Sequence, residues 1–217
     1  MFRRLEDCGQ LVRLDAAVEP TMYHCATVSQ SELASLRRIW DVVRAGRVLR
    51  VGLDQIALEQ GSFPAQAGHV YVDCTAAGLQ VRAARPVFAP GLITLQPVRT
   101  CQPAFGAALE GYLEASRHDD AEKNRLCPPN PYPDTAANWI ATTCISLHAQ
   151  NLWLRDRDLA AWIDRSRLNV ARGFGDHLAE PRMQSAVTRL LTYNDQAIAK
   201  LEWLLSQDQQ AGTLSPA

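Results

Sequence analysis

The stretch His69-Val-Tyr-Val-Asp-Cys-Thr-Ala-Ala-Gly78 decides how this chain is read. Val70 and Val72 alternate with Tyr71, and the segment then runs through small residues to a glycine. The alternation predicts a short buried strand. The small residues predict a tight turn at which backbone comes close to a ligand or to a neighbouring strand. In open α/β sheets, ligands sit in the crevice beyond the carboxyl ends of the strands. The residues alone support a soluble α/β domain with one such turn, and close strand packing explains the turn as well as a ligand does.

Upstream, Arg47 to Gly61 reads as a hairpin, with Val48, Val51 and Leu53 facing Ile56 and Leu58 across Asp54-Gln55. Before it, Ser29-Gln-Ser-Glu32 fits a capping box, and Leu33, Leu36, Ile39, Trp40 and Val43 follow at helical spacing to a stop at Gly46. Leu11–Leu14 and Met22–Ala26 are short strand candidates. Downstream, Arg85 to Val98 makes a second hairpin around Ala89-Pro-Gly91. Pro103 suits a first helical turn, and Phe105, Ala108, Leu109, Tyr112 and Leu113 give that helix one apolar face. A short helix runs from His118-Asp-Asp120 to Leu126.

Cys127-Pro-Pro-Asn-Pro-Tyr-Pro-Asp134 is too rich in proline for a helix or a central strand, and reads as an extended connector. It divides an α/β portion, residues 1–127, from a helical region, residues 128–217. In the latter, Met183, Val187, Leu190, Leu191, Ala197, Ile198, Leu201, Leu204 and Leu205 draw one stripe suited to a bundle or a partner.

At 217 residues the chain is long enough to bury a core. A net charge of -1, with 21% charged residues, gives no electrostatic footprint for nucleic acid or for an anionic membrane. No apolar run is long enough to span a bilayer, and the start does not read as a signal peptide, so the cytoplasm is the expected compartment. Cys8, Cys25, Cys74, Cys101, Cys127 and Cys144 form no C-x-x-C pair and match no zinc spacing, so reduced, packed thiols are expected. The five histidines show no metal-site motif, and no metal is assigned. Gly173-Phe-Gly175 reads as a helix–helix turn, and Arg155, Arg157, Arg165, Arg167 and Arg172 as a solvated face.

Taken together, Gly46 to Gly78 and the helix entry Gln96-Pro-Val-Arg-Thr-Cys-Gln-Pro103 resemble the C-terminal half of bacterial FAD/NAD(P)-binding oxidoreductases of the pyridine-nucleotide flavoprotein family. The likeness runs from about Leu11 to about Cys127. It implies a mixed α/β fold: part of a Rossmann-type FAD-domain sheet, an antiparallel β-meander inserted before the Thr/Ala/Gly strand, and a helical region after it. It implies FAD and NAD(P)H as cofactors, with hydride passing from nicotinamide to flavin. Thr75, Ala76 and Gly78 are the positions expected beside the adenosine-diphosphate part of FAD. Arg99, Thr100 and Gln102, at the helix entry, are expected at the isoalloxazine ring. The family's phosphate-binding G-x-G-x-x-G is absent, so the chain reads as such a flavoprotein entered in the middle.

The resulting expectation is one side of an oxidoreductase site, inactive as an isolated chain. An N-terminal half, a second chain or self-association would complete it. The alternative is a non-catalytic interaction module that uses a sheet edge and the last helix. Neither reading calls for nucleic acid or a membrane.

Overall fold

The computed structural model describes residues 1–23, 28–75 and 82–210. It is mixed α/β, with small antiparallel sheets and a helical C-terminal region. The chain separates into two compact units, Met1–Val18 with Val28–Arg82, and Glu19–Thr27 with Ala83–Ala217.

The first unit begins with α1 (Phe2–Asp7). Arg13 pairs with Glu6 on α1 at 2.9 Å, folding the following loop back onto it. Next comes α2 (Gln30–Leu36), whose capping box forms as expected: Ser29 Oγ accepts from the Glu32 amide, and the Glu32 carboxylate accepts from the Ser29 amide at 2.8 Å. The helix stops seven residues in, well short of Gly46. Only Leu33 on it is buried, whereas Ile39 and Trp40 are 62% and 88% exposed. A short helix holds in water chiefly through a packed apolar face, and nothing among the described residues of this unit covers the second half of that stripe.

The predicted hairpin is the first two strands of a three-stranded antiparallel meander: β1 (Val48–Val51), β2 (Gln55–Leu58) and β3 (Gly61–Pro64). Gly61 opens the third strand, with φ at 140°. Ile56 and Leu58 on β2 are buried, and every residue of β1 is exposed. The strand expected at Val70–Val72 is not formed. These residues pair with nothing in a ladder, and Val70 is 87% exposed. Alternation marks residues able to line a sheet face, but a strand exists only where a neighbour supplies the ladder bonds. Leu11–Leu14 and Met22–Tyr23 are likewise outside any strand.

In the second unit, β4 (Phe88–Ala89) and β5 (Leu92–Ile93) form the small hairpin expected around Ala89-Pro-Gly91. α3 (Pro103–Ser116) starts at its proline, and α4 (Asp120–Leu126) is capped by the Asp119 carboxylate, which accepts from the amides of Ala121 and Glu122. α5 (Ala136–Arg155), α6 (Arg157–Arg165), a 3-10 turn (Phe174–His177) and α7 (Pro181–Gln210) follow.

The core gathers Val87, Phe88 and Val98 with Phe105, Leu109 and Leu113 of α3, Trp153 of α5 and Leu159 of α6. Trp153 Nε1 donates to the Leu126 carbonyl at 2.7 Å, so the indole satisfies a carbonyl at the C-terminal end of α4. The proline-rich stretch lies inside this unit rather than between units: Cys127, Asn130 and Pro133 are buried, and the Asn130 amide donates to the Pro97 carbonyl at 2.7 Å. Extended chain with few N–H donors packs without leaving orphaned backbone, so a proline run need not be a linker. On α7, Ile198 and Leu201 are buried, while Leu190 and Leu191 are 59% and 69% exposed, so only part of the predicted stripe is covered. Among the described residues no helix is long and apolar enough to cross a membrane.

Candidate functional site

The segment Gln96–Gln102 enters α3 through a tight turn, in which the Gln102 amide donates to the Arg99 carbonyl at 3.2 Å. Cys101, at the third position of that turn, has φ 61°. Turns of this geometry favour Gly or Asn there, because a Cβ is strained in the left-handed region. Cys101 is disulfide-bonded. This corrects the expectation of thiols throughout; Cys8, Cys74, Cys127 and Cys144 are free. Spacing alone hides such a bond, because the fold rather than the sequence interval brings two sulfurs together.

Among the described residues no side chain caps α3, and Pro103 at its first position removes one donor that would otherwise be orphaned. The helix therefore presents a partial positive charge at the turn. Arg99 stands beside it. Its guanidinium lies 4.5 Å from the Phe105 ring centroid and 5.9 Å from that of Trp153, and donates to Asn169 Oδ1 at 3.1 Å. Burial lowers its pKa from the usual arginine value, and none of the ion pairs among the described residues includes it. A half-buried cation without a carboxylate is uncommon.

Thr100 belongs to a polar cluster drawn from three places in the chain. Asn130 Nδ2 donates to Thr100 Oγ1 at 3.0 Å and to Ser146 Oγ at 2.8 Å, and the two hydroxyls lie 3.3 Å apart. Three buried side-chain oxygens border the same segment without a partner among the described residues: Gln102 Oε1, Asn130 Oδ1 and Glu110 Oε1. All three are acceptors, so each calls for a donor. Glu110 is 1% exposed; burial raises its pKa to about 7, against the opposing effect of a hydrogen bond from the Gln96 backbone. The same burial, with Glu110 nearby, pushes the Cys127 thiol up, so it is no thiolate nucleophile.

Arg99, Thr100 and Gln102 sit together on this one turn. Asn130, Ser146, Glu110 and Asn169 join them without having been foreseen. No sequence motif could mark them, since they come from separate elements. Thr75 lies in the other unit and is exposed. Its N–H and hydroxyl both donate to Asp73 Oδ1, at 2.8 and 2.6 Å, closing a local turn that holds the Asp73 carboxyl below its usual pKa. Ala76 and Gly78 lie outside the described residues.

The chain is 44% identical over 207 residues to the uncharacterized protein Mb2023 of Mycobacterium bovis, an alignment covering 93% of this chain and 38% of that protein. The same figures hold for the uncharacterized protein Rv2000 of Mycobacterium tuberculosis. The chain therefore spans 38% of the length of these relatives. No family model matches the chain, and no solved structure matches it.

Proposed function

We propose that this chain forms one side of the flavin site of an FAD/NAD(P)-dependent oxidoreductase, with Arg99–Gln102 and the start of α3 facing the isoalloxazine ring. The observation that carries the reading is Arg99, a desolvated guanidinium with no carboxylate partner among the described residues, beside an uncapped helix start. Two positive centres partly withdrawn from water favour a ligand that carries or gains negative charge. FAD supplies the hydride-accepting chemistry when bound, and NAD(P)H the hydride.

The chain's own residues fit that role. Arg99 is pinned by Asn169 and Phe105, so it acts as a fixed charge rather than a moving clamp. Gln102 Oε1 is an acceptor in need of a donor, such as a ring imide N–H or a ribityl hydroxyl. Thr100 is held in one orientation by Asn130 and Ser146. The finer parts of the proposal are a Rossmann-type sheet and the placement of Thr75, Ala76 and Gly78 at the adenosine-diphosphate end. So is the cytoplasmic setting, where pyridine nucleotides are available. The extra length of the mycobacterial relatives leaves room for the pyrophosphate cradle that residues 1–217 lack. Titration of the chain with FAD, read at the backbone amides of the α3 entry, tests the reading.

A second reading, a non-catalytic interaction module, is favoured by the first unit's surface. Trp40, Leu53 and Val70 are 88%, 95% and 87% exposed, and among the described residues only Leu33, Ile56 and Leu58 supply its buried aliphatic side chains. Apolar exposure on this scale marks a surface that another chain or segment covers. The two readings share that covering partner and differ in whether flavin binds.

A further inference from the structure

We infer a zinc-binding site between α5 and α7, built from Cys144, His148 and Glu202. One ligand atom from each residue, the Cys144 Sγ, a His148 ring nitrogen and a Glu202 carboxylate oxygen, lies within 4.8 Å of the other two. His148 Nε2 and Glu202 Oε1 are already 2.9 Å apart. Around a tetrahedral zinc, with bonds of about 2.0–2.3 Å, such atoms stand about 3.3–3.7 Å from one another, so the three need shift by only about 1 Å to close on the ion.

The helices make the arrangement inevitable once they pack. Cys144 and His148 are four residues apart on α5, the interval that stacks two side chains on one helical face. Glu202 comes from α7, which runs antiparallel to α5: Asn194 Nδ2 donates to Asn151 Oδ1 at 3.0 Å one end along, while Ile198 and Leu201 are buried between. Thiolate, imidazole and carboxylate together form a mixed set suited to a borderline-soft divalent ion. Cys144 is 6% exposed whereas the His148 and Glu202 side chains are about half exposed, so the ion would sit at the mouth of the helix pair. Three protein ligands leave a fourth position open to water or to a substrate atom, the pattern of zinc sites that do chemistry. This site is independent of the flavin reading.

The test uses the whole 217-residue chain, stripped of metal with a chelator and titrated with Co(II), then with Zn(II). The expected result is one equivalent of Co(II) with a near-ultraviolet thiolate-to-cobalt charge-transfer band and strong visible bands, both displaced by Zn(II). Cys144→Ala should remove the charge-transfer band. His148→Gln and Glu202→Gln, at half-exposed side chains, should each weaken affinity at least tenfold with the helical circular dichroism unchanged. Zn(II) should also raise the melting temperature of the wild-type chain and not that of the Gln variants. Absence of the band in the wild-type chain, its persistence in Cys144→Ala, or undiminished affinity in both Gln variants would overturn the assignment.

Discussion

Glu110 and Gln96 meet across the core of the second unit: the Gln96 backbone hydrogen-bonds to the Glu110 carboxyl, whose Oε1 has no partner among the described residues. The hydrogen bond favours the carboxylate, but burial outweighs it and sets the folded-state pKa at about 7, against 4.5 unperturbed. From pH 4.5 to about 7 the folded chain holds this proton more tightly than the unfolded chain does. Stability therefore falls as pH rises through that window, and the penalty is complete above about 7. Its size is on the order of 3 kcal/mol at most. Glu110→Gln should flatten the urea-unfolding stability between pH 5 and 8 and raise it at pH 8 by about 1–3 kcal/mol. A variant with the same pH slope as the wild type would show that Glu110 is ionised at little cost.

Cys101 should resist alkylation under denaturing, non-reducing conditions and become reactive only after reduction, with Cys8, Cys74, Cys127 and Cys144 modified in both samples. Peptide mapping by mass spectrometry reads this directly. Stable disulfides are rare in reducing compartments, so recovery of Cys101 as a thiol from freshly lysed cells, and as a disulfide after air oxidation, would mark a redox-responsive bond. Cys101 alkylated without reduction in every sample would contradict the bond itself.

Much of the second unit was legible because its signals are local. Pro103 with the Phe105-Leu109-Leu113 spacing marked α3, and Asp119-Asp120 marked the start of α4. The Ser29–Glu32 box was legible for the same reason. What failed depended on neighbours that the sequence interval does not reveal. Among the described residues, Val70–Val72 alternates as a strand should but has no pairing partner, and Ile39–Val43 continues a helical stripe with nothing to bury it. The site divides likewise. Arg99, Thr100 and Gln102 sit on one turn and could be read together. Asn130 and Ser146 reach Thr100 only because α5 and the proline-rich stretch pack beside it.

The exposed apolar surface of the first unit gives a prediction that separates folding from association. Trp40 and Leu53 are 88% and 95% exposed, so Trp40→Lys with Leu53→Lys should change unfolding free energy by less than about 0.5 kcal/mol per site. The same double variant should shift sedimentation toward monomer at concentrations where the wild-type chain self-associates. A loss of several kcal/mol on unfolding would mean that these side chains are packed in solution.

The most direct measurement of the central claim is a titration of the 15N-labelled chain with FAD, followed by backbone amide shifts. Without the pyrophosphate cradle, the chain's contacts must still offset roughly 4–15 kcal/mol for immobilising the ligand, so binding to residues 1–217 should be weak and the gel-filtered chain colourless. Millimolar FAD should nonetheless move the amides of Thr100, Gln102 and Ala104 in a saturable way, and Gln102→Ala with Arg99→Ala should abolish the effect while leaving the rest of the spectrum in place. Amides at the α3 entry that stay fixed at millimolar FAD, or that move equally in the double variant, would contradict the placement of flavin at this turn.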